Sequence, residues 1–196
     1  MKKKKAGIME LRFYEVPQNE YVLALLGESW IRDYGHDETG LHFHNLMEIG
    51  YCRSGGGDLV LDEHSMRYQP AMVSVIPSNY PHITISDSEE GASFWEYLFL
   101  DPAQLLAEMY PENEFYQRDM LAKLTYKALF LHEWENRNLA LLVRMIMEEM
   151  RRKRQHYVDS VKGLLFALIT EILRMNEQED IKVEPEGNAR KVAGVS

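Results

Sequence analysis

The sequence predicts a mainly β fold with α: a small β-barrel or sandwich followed by a C-terminal α-helical hairpin. Three observations predict it. Between residues 41 and 100, short aromatic and β-branched runs alternate with Gly, Pro, Asn and Asp, the spacing of a sandwich or barrel. After Asp101-Pro102 the composition changes, and apolar residues recur at three- and four-residue steps, as on amphipathic helices. From Asn176 to Ser196 the chain turns polar, with Pro185 and Gly187, and reads as a linker or tail.

Taken in order, Leu11–Val16, Tyr21–Leu26 and Trp30–Tyr34 read as short strands or turns leading into the core. Strands follow at Leu41–Cys52, Asp58–Leu61, Ser65–Tyr68, Met72–Ile76, His82–Ser86 and Ser93–Leu100. The cluster Ser54-Gly55-Gly56-Gly57-Asp58 reads as a hairpin turn, since Gly supplies positive φ at little steric cost. A phosphate-cradling loop would need a helix directly after the glycines, and Leu59-Val60-Leu61 reads as a strand. Pro77 and Pro81 flank a tight turn in which Asn79 tolerates left-handed backbone.

Asp101 and Pro102 mark a helix start, with the helix Ala103–Met109 stopping before Pro111. Residues 115–131 read as mixed and helical. A strong helix over Glu135–Arg154 carries Leu139, Leu142, Val143, Ile146 and Met150. A second, from Tyr157 to Met175, carries Val161, Leu164, Leu165, Leu168 and Ile172. The pair forms an antiparallel hairpin whose stripes bury against each other, the β domain or a second copy of the chain. The expected organisation is a β domain over 8–101, a helical dimerisation region over 102–176 and a linker or tail over 177–196.

A length of 196 residues fits one domain, or one domain with a helical appendage. A net charge of −9 argues against nucleic acid as the main partner of this segment. The single cysteine, Cys52, excludes an internal disulfide and suits a reducing cytoplasm. Lys2 to Lys5 are not followed by an apolar core, so no signal peptide is read there. No uncharged apolar run approaches the roughly 20 residues of a membrane span.

The chemistry concentrates between His42 and His82. On one continuous strand His42, His44 and Glu48 share parity and project to one side. Histidine and carboxylate are ligands for divalent transition metals such as Zn, Ni, Mn or Fe. His82 is the natural fourth. The alternative is a metal-free polar pocket floor, with these groups bonding each other or an effector. Trp95, Tyr97 and Phe99 also share parity; they line a ligand pocket or fill ordinary core. The run Arg151-Arg152-Lys153-Arg154 suits a helix C-terminus better than DNA contact. His36, His64, His132 and His156 lack partners at ligand spacing.

These residues resemble the cupin family. In the first cupin motif, G-x5-H-x-H-x3-E-x6-G, His42, His44, Glu48 and Gly55 match in spacing. In the second, G-x5-P-x-G-x2-H-x3-N, Pro77 and His82 match, while Ala71, Asn79 and Ser86 hold the Gly, Gly and Asn positions. A drifted small cupin followed by a helix pair and a polar linker resembles the N-terminal sensing and dimerisation domain of AraC-type transcriptional regulators, over roughly residues 10–175. The resemblance implies a double-stranded β-helix (jelly-roll) barrel that binds a small-molecule effector and a homodimer formed through the helices. It implies DNA contact only through a helix-turn-helix module that would begin where this chain ends. An enzyme reading stands beside it: a metal-dependent cupin isomerase or dioxygenase.

Overall fold

The computed structural model describes residues 9–28, 40–87 and 93–180, with side chains to residue 177. Trp30–Tyr34, His36 and most of the 177–196 tail lie outside the described residues. Ten strands run β1 Glu10–Arg12, β2 Leu23–Leu25, β3 His42–His44, β4 Met47–Ser54, β5 Gly57–Leu61, β6 His64–Tyr68, β7 Met72–Ile76, β8 His82–Ser86, β9 Phe94–Leu100 and β10 Leu129–His132. Four helices run α1 Pro102–Met109, α2 Glu114–Thr125, α3 Arg137–Arg152 and α4 Tyr157–Asp180. The expectation of a mainly β fold with α is met. The strands form two five-stranded sheets, ordered β1-β3-β8-β5-β6 and β10-β7-β4-β9-β2.

Alternation along the strands sorts the side chains into two cores. One lies between the sheets: Cys52 and Trp95 from one sheet meet Leu59, Leu61 and Tyr68 from the other. The second lies on the outer face of the β4 sheet, where Ile49, Val73, Val75 and Leu98 pack under all four helices. Gly55, at φ 91°, makes the turn between β4 and β5 as its composition requires.

Asp101 caps α1 by accepting from the Ala103 and Gln104 N–H groups, with Pro102 in the first turn. This is the start the sequence predicts. The reading of 115–131 as helical is corrected in part. α2 ends at Thr125, and Leu129–His132 pairs antiparallel with β7, Leu129 opposite Val75. Leu129 and Leu131 face the helices while Phe130 faces the other core. That period of two is too short to separate from helix by pattern alone. A boundary at residue 101 therefore leaves one sandwich strand on the helical side. α4 also runs past Met175 to Asp180.

The helix stripes pack inside the chain. Leu139, Val143, Ile146, Met150, Val161, Leu165, Leu168 and Ile172 are buried inside the single chain. Leu142 and Leu164 are partly buried against the same core. Within the single chain these side chains pack on its own sheet and hairpin. On α3 it is Leu141 and Met145, four residues apart, that stay exposed.

Candidate metal and ligand site

His42, His44 and Glu48 are not on one strand, as the parity argument assumed. β3 ends at His44, and the chain crosses through Asn45 and Leu46 to open β4, in the other sheet, at Met47. The crossing still turns all three toward the inside. On the β3–β8 ladder His42 lies opposite His82. The 77–81 turn braces the corner: the Asn79 N–H donates to the His44 carbonyl at 2.7 Å, and Asn79 takes φ 61°.

Each of two imidazoles is oriented by a backbone carbonyl. His44 Nδ1–H donates to Leu46 O at 2.7 Å, and His82 Nδ1–H donates to Tyr80 O at 2.8 Å. A carbonyl only accepts, so both protons sit on Nδ1. Both Nε2 atoms then turn inward on Glu48, whose Oε2 lies 3.1 Å from His44 and 3.6 Å from His82. His44, His82 and Glu48 are buried. His42 is partly buried, its ring centroid 4.3 Å from that of His82. Among the described residues, His42 Nδ1 and His82 Nε2 are shielded from water without a hydrogen-bond partner.

The electrostatics follow from burial and charge. Burial pushes the Glu48 carboxyl up, but His82 and His44 outweigh it and hold the group well below the usual carboxylate range. Burial pushes His82 down, and the nearby Glu48 charge reverses this, leaving it raised. Burial, then His82, push His42 down to about 3, so its imidazole is neutral. The corner is a buried carboxylate faced by imidazole nitrogens, and it calls for positive charge, either protons or a cation.

A divalent metal fits these donors. The ligating nitrogens of His42, His44 and His82 lie within 4.8 Å of one another. Ligands held about 2.1 Å from one tetrahedral ion stand roughly 3.4 Å apart, and the Glu48 separations of 3.1 and 3.6 Å bracket that spacing. Nδ1–H bonds to carbonyls are the outer contacts that metal-binding histidines use to fix their tautomer.

The three aromatics of β9 all point between the sheets, but in two roles. Trp95 and Phe99 are buried core. Tyr97 is partly exposed, its ring stacked 6.1 Å from Trp95. Phe99 meets the His44 ring edge-on at 5.2 Å. Sequence reasoning missed Tyr14, whose ring stacks on Phe99 at 4.2 Å and lies 5.9 Å from that of His44. Asn45 holds that segment, accepting from the Tyr14 N–H at 2.8 Å and donating to its carbonyl at 2.9 Å. The basic run is fully ion-paired. Arg151 bridges Glu96 and Glu148, Arg152 meets Glu148, Lys153 meets Glu20 and Arg154 meets Glu149.

No protein-family model matches the chain, and no curated protein matches it. Among solved structures it is similar to the AraC-like transcriptional activator CuxR, at 16% identity and TM-score 0.39, over 64% of this chain and 42% of that one. It is similar to an apo variant of ToxT from Vibrio cholerae, at 13% identity and TM-score 0.48, over 69% and 50%. It is also similar to wild-type ToxT with bound unsaturated fatty acid, at 13% identity and TM-score 0.43, over 70% and 48%. The chain spans half or less of the length of these proteins. At these values the likeness is one of outline.

Proposed function

We propose that this chain is the small-molecule sensing domain of an AraC-type transcriptional regulator, with a divalent transition metal at the floor of its effector site. His42, His44, His82 and Glu48 hold the metal. A bound ion would supply a Lewis-acid coordination point for an oxygen or nitrogen atom of the effector. Tyr97 and the Tyr14 segment stand beside that floor and contact the rest of the ligand.

One observation carries the reading. Glu48 faces the site, while Met47 and Ile49, its neighbours on β4, belong to the core under the helices. A pull on the site strand is thus transmitted directly to the packing of α3 and α4. A signal requires only that the effector prefer one of two such packings. The partner is a second copy of the chain, meeting this one through the outer face of α3 at Leu141 and Met145. DNA is reached only through a helix-turn-helix module beyond this segment.

The same donor set suits metal-dependent isomerase or dioxygenase chemistry, so the test must separate the two. Protein purified without chelators is analysed for metal beside His44→Ala/Glu48→Ala, then screened by thermal shift and by change in dimerisation. Metal lost in the variant, with ligand-dependent dimerisation and no turnover, supports the sensor. Metal-dependent turnover abolished in the variant supports the enzyme and overturns it.

A further inference from the structure

A groove of about 520 Å3 lies between the N-terminal segment and the C-terminal end of α3, at the edge of the core under the helices. Its volume is that of a small-molecule site. Leu23, Ala24 and Met150 supply apolar walls, and Glu20, Arg151 and Lys153 supply its charges. Lys153 ends α3 in the left-handed region, at φ 43°. A side chain with a Cβ adopts that backbone at a cost. The ammonium lies 2.6 Å from Glu20 and 5.5 Å from the Tyr157 ring centroid.

The acid in the groove is already committed. Glu20 accepts from both Lys153 and the Tyr157 hydroxyl, the latter at 2.8 Å. The groove's own lining carries two cations, Arg151 and Lys153, against the one carboxylate of Glu20. In a chain of net charge −9, this is a local excess of positive charge beside an apolar wall. Anions are drawn to such a place and uncharged solutes are not.

We propose that the groove binds a compact amphipathic organic anion. Its carboxylate or phosphate head meets Arg151 and Lys153, and its apolar body lies on Leu23, Ala24 and Met150. The site is independent of the histidine corner and has its own consequence for the fold. Arg151 is the bond from the helix hairpin to buried Glu96 on β9, at 2.6 Å. An anion in the groove competes for that guanidinium, so its occupancy is coupled to how α3 sits on the sandwich.

The test uses the whole chain and two probes, phenylbutyrate and its uncharged alcohol, phenylbutanol, in titration calorimetry. The expected result is saturable binding of phenylbutyrate that is about tenfold weaker for the alcohol, as for loss of a charge-assisted hydrogen bond. Lys153→Gln on the surface weakens the carboxylate to a similar degree, and Ala24→Leu, which fills the groove without touching a charge, abolishes binding. His44→Ala leaves it unchanged. Absence of saturable binding overturns the proposal. So does equal affinity for the alcohol, and so does binding lost in His44→Ala but kept in Ala24→Leu. Circular dichroism on each variant ensures that loss is read only from folded protein.

Discussion

His82 presents its Nε2 to the Glu48 carboxylate at 3.6 Å while its Nδ1 proton is spent on the Tyr80 carbonyl. The pair is therefore set from behind, by backbone, before any cation arrives. Preset donors of this kind lose little freedom on binding a metal.

Glu48→Gln keeps the shape of that corner and removes its charge. Bound metal is expected to fall tenfold or more. Equilibration with zinc, gel filtration and elemental analysis of both proteins checks this. Equal metal content in the two would mean that the corner is not the site.

Glu96 gives the chain an acid limb. Burial pushes its carboxyl up, but hydrogen bonds from Arg151, the Gly27 N–H and Arg53 outweigh this and hold it below its ordinary value of 4.5. A carboxylate lowered by folding stabilises the fold above its unfolded pKa, and that contribution fades as pH falls through the lower, folded value. Denaturant titrations at neutral and acid pH should show wild-type stability falling on that limb. Glu96→Ala should cost about 3 kcal/mol at neutral pH and flatten the acid limb.

The helix hairpin has a buried inside and an exposed outside. Leu168→Ala on α4, fully buried, should cost about 2–5 kcal/mol. Leu141→Ala, half exposed on α3, should leave monomer stability within roughly 0.5 kcal/mol while weakening self-association. Urea melts and sedimentation run on both variants give the two readouts.

Asn45→Ala removes both hydrogen bonds that hold Tyr14, each worth about 1 kcal/mol. Hydrogen exchange at the Tyr14 amide should quicken accordingly, with the sandwich amides unaffected. Exchange rising throughout the sheet would instead mark Asn45 as a general stability residue.

Gly50 leaves room for its neighbours. A Cβ there would meet Ser74 Oγ at 2.5 Å and the Trp95 ring at 3.2 Å. Gly50→Ala should destabilise by about 1–3 kcal/mol, the cost of overpacking, read from the urea midpoint.

What was legible in the chain was local. Asp101-Pro102 declares a helix start, Gly55 a hairpin, Asn79 a left-handed turn, and the three-and-four spacing from Leu139 to Ile172 a pair of helices. The His42, His44 and Glu48 grouping was also legible, though through the wrong geometry: a crossing between sheets does what a single strand was expected to do. Long-range pairings were not. Nothing in Asn45 says that it grips Tyr14, thirty-one residues earlier. Nothing in Arg151 says that its partner is Glu96 rather than solvent. The Leu129–His132 strand was hidden because a strand of four residues carries no period long enough to read.

That late strand also orders the birth of the molecule. A ribosome releasing this chain emits β1 to β9, then α1 and α2, and only afterwards the strand that covers the open edge of β7. Until residue 132 emerges, β7 offers unpaired backbone groups with Val73 and Val75 among its side chains. Such an edge invites pairing with another nascent chain. The helical segment is thus more than an appendage to the sandwich, since it delivers the closing strand.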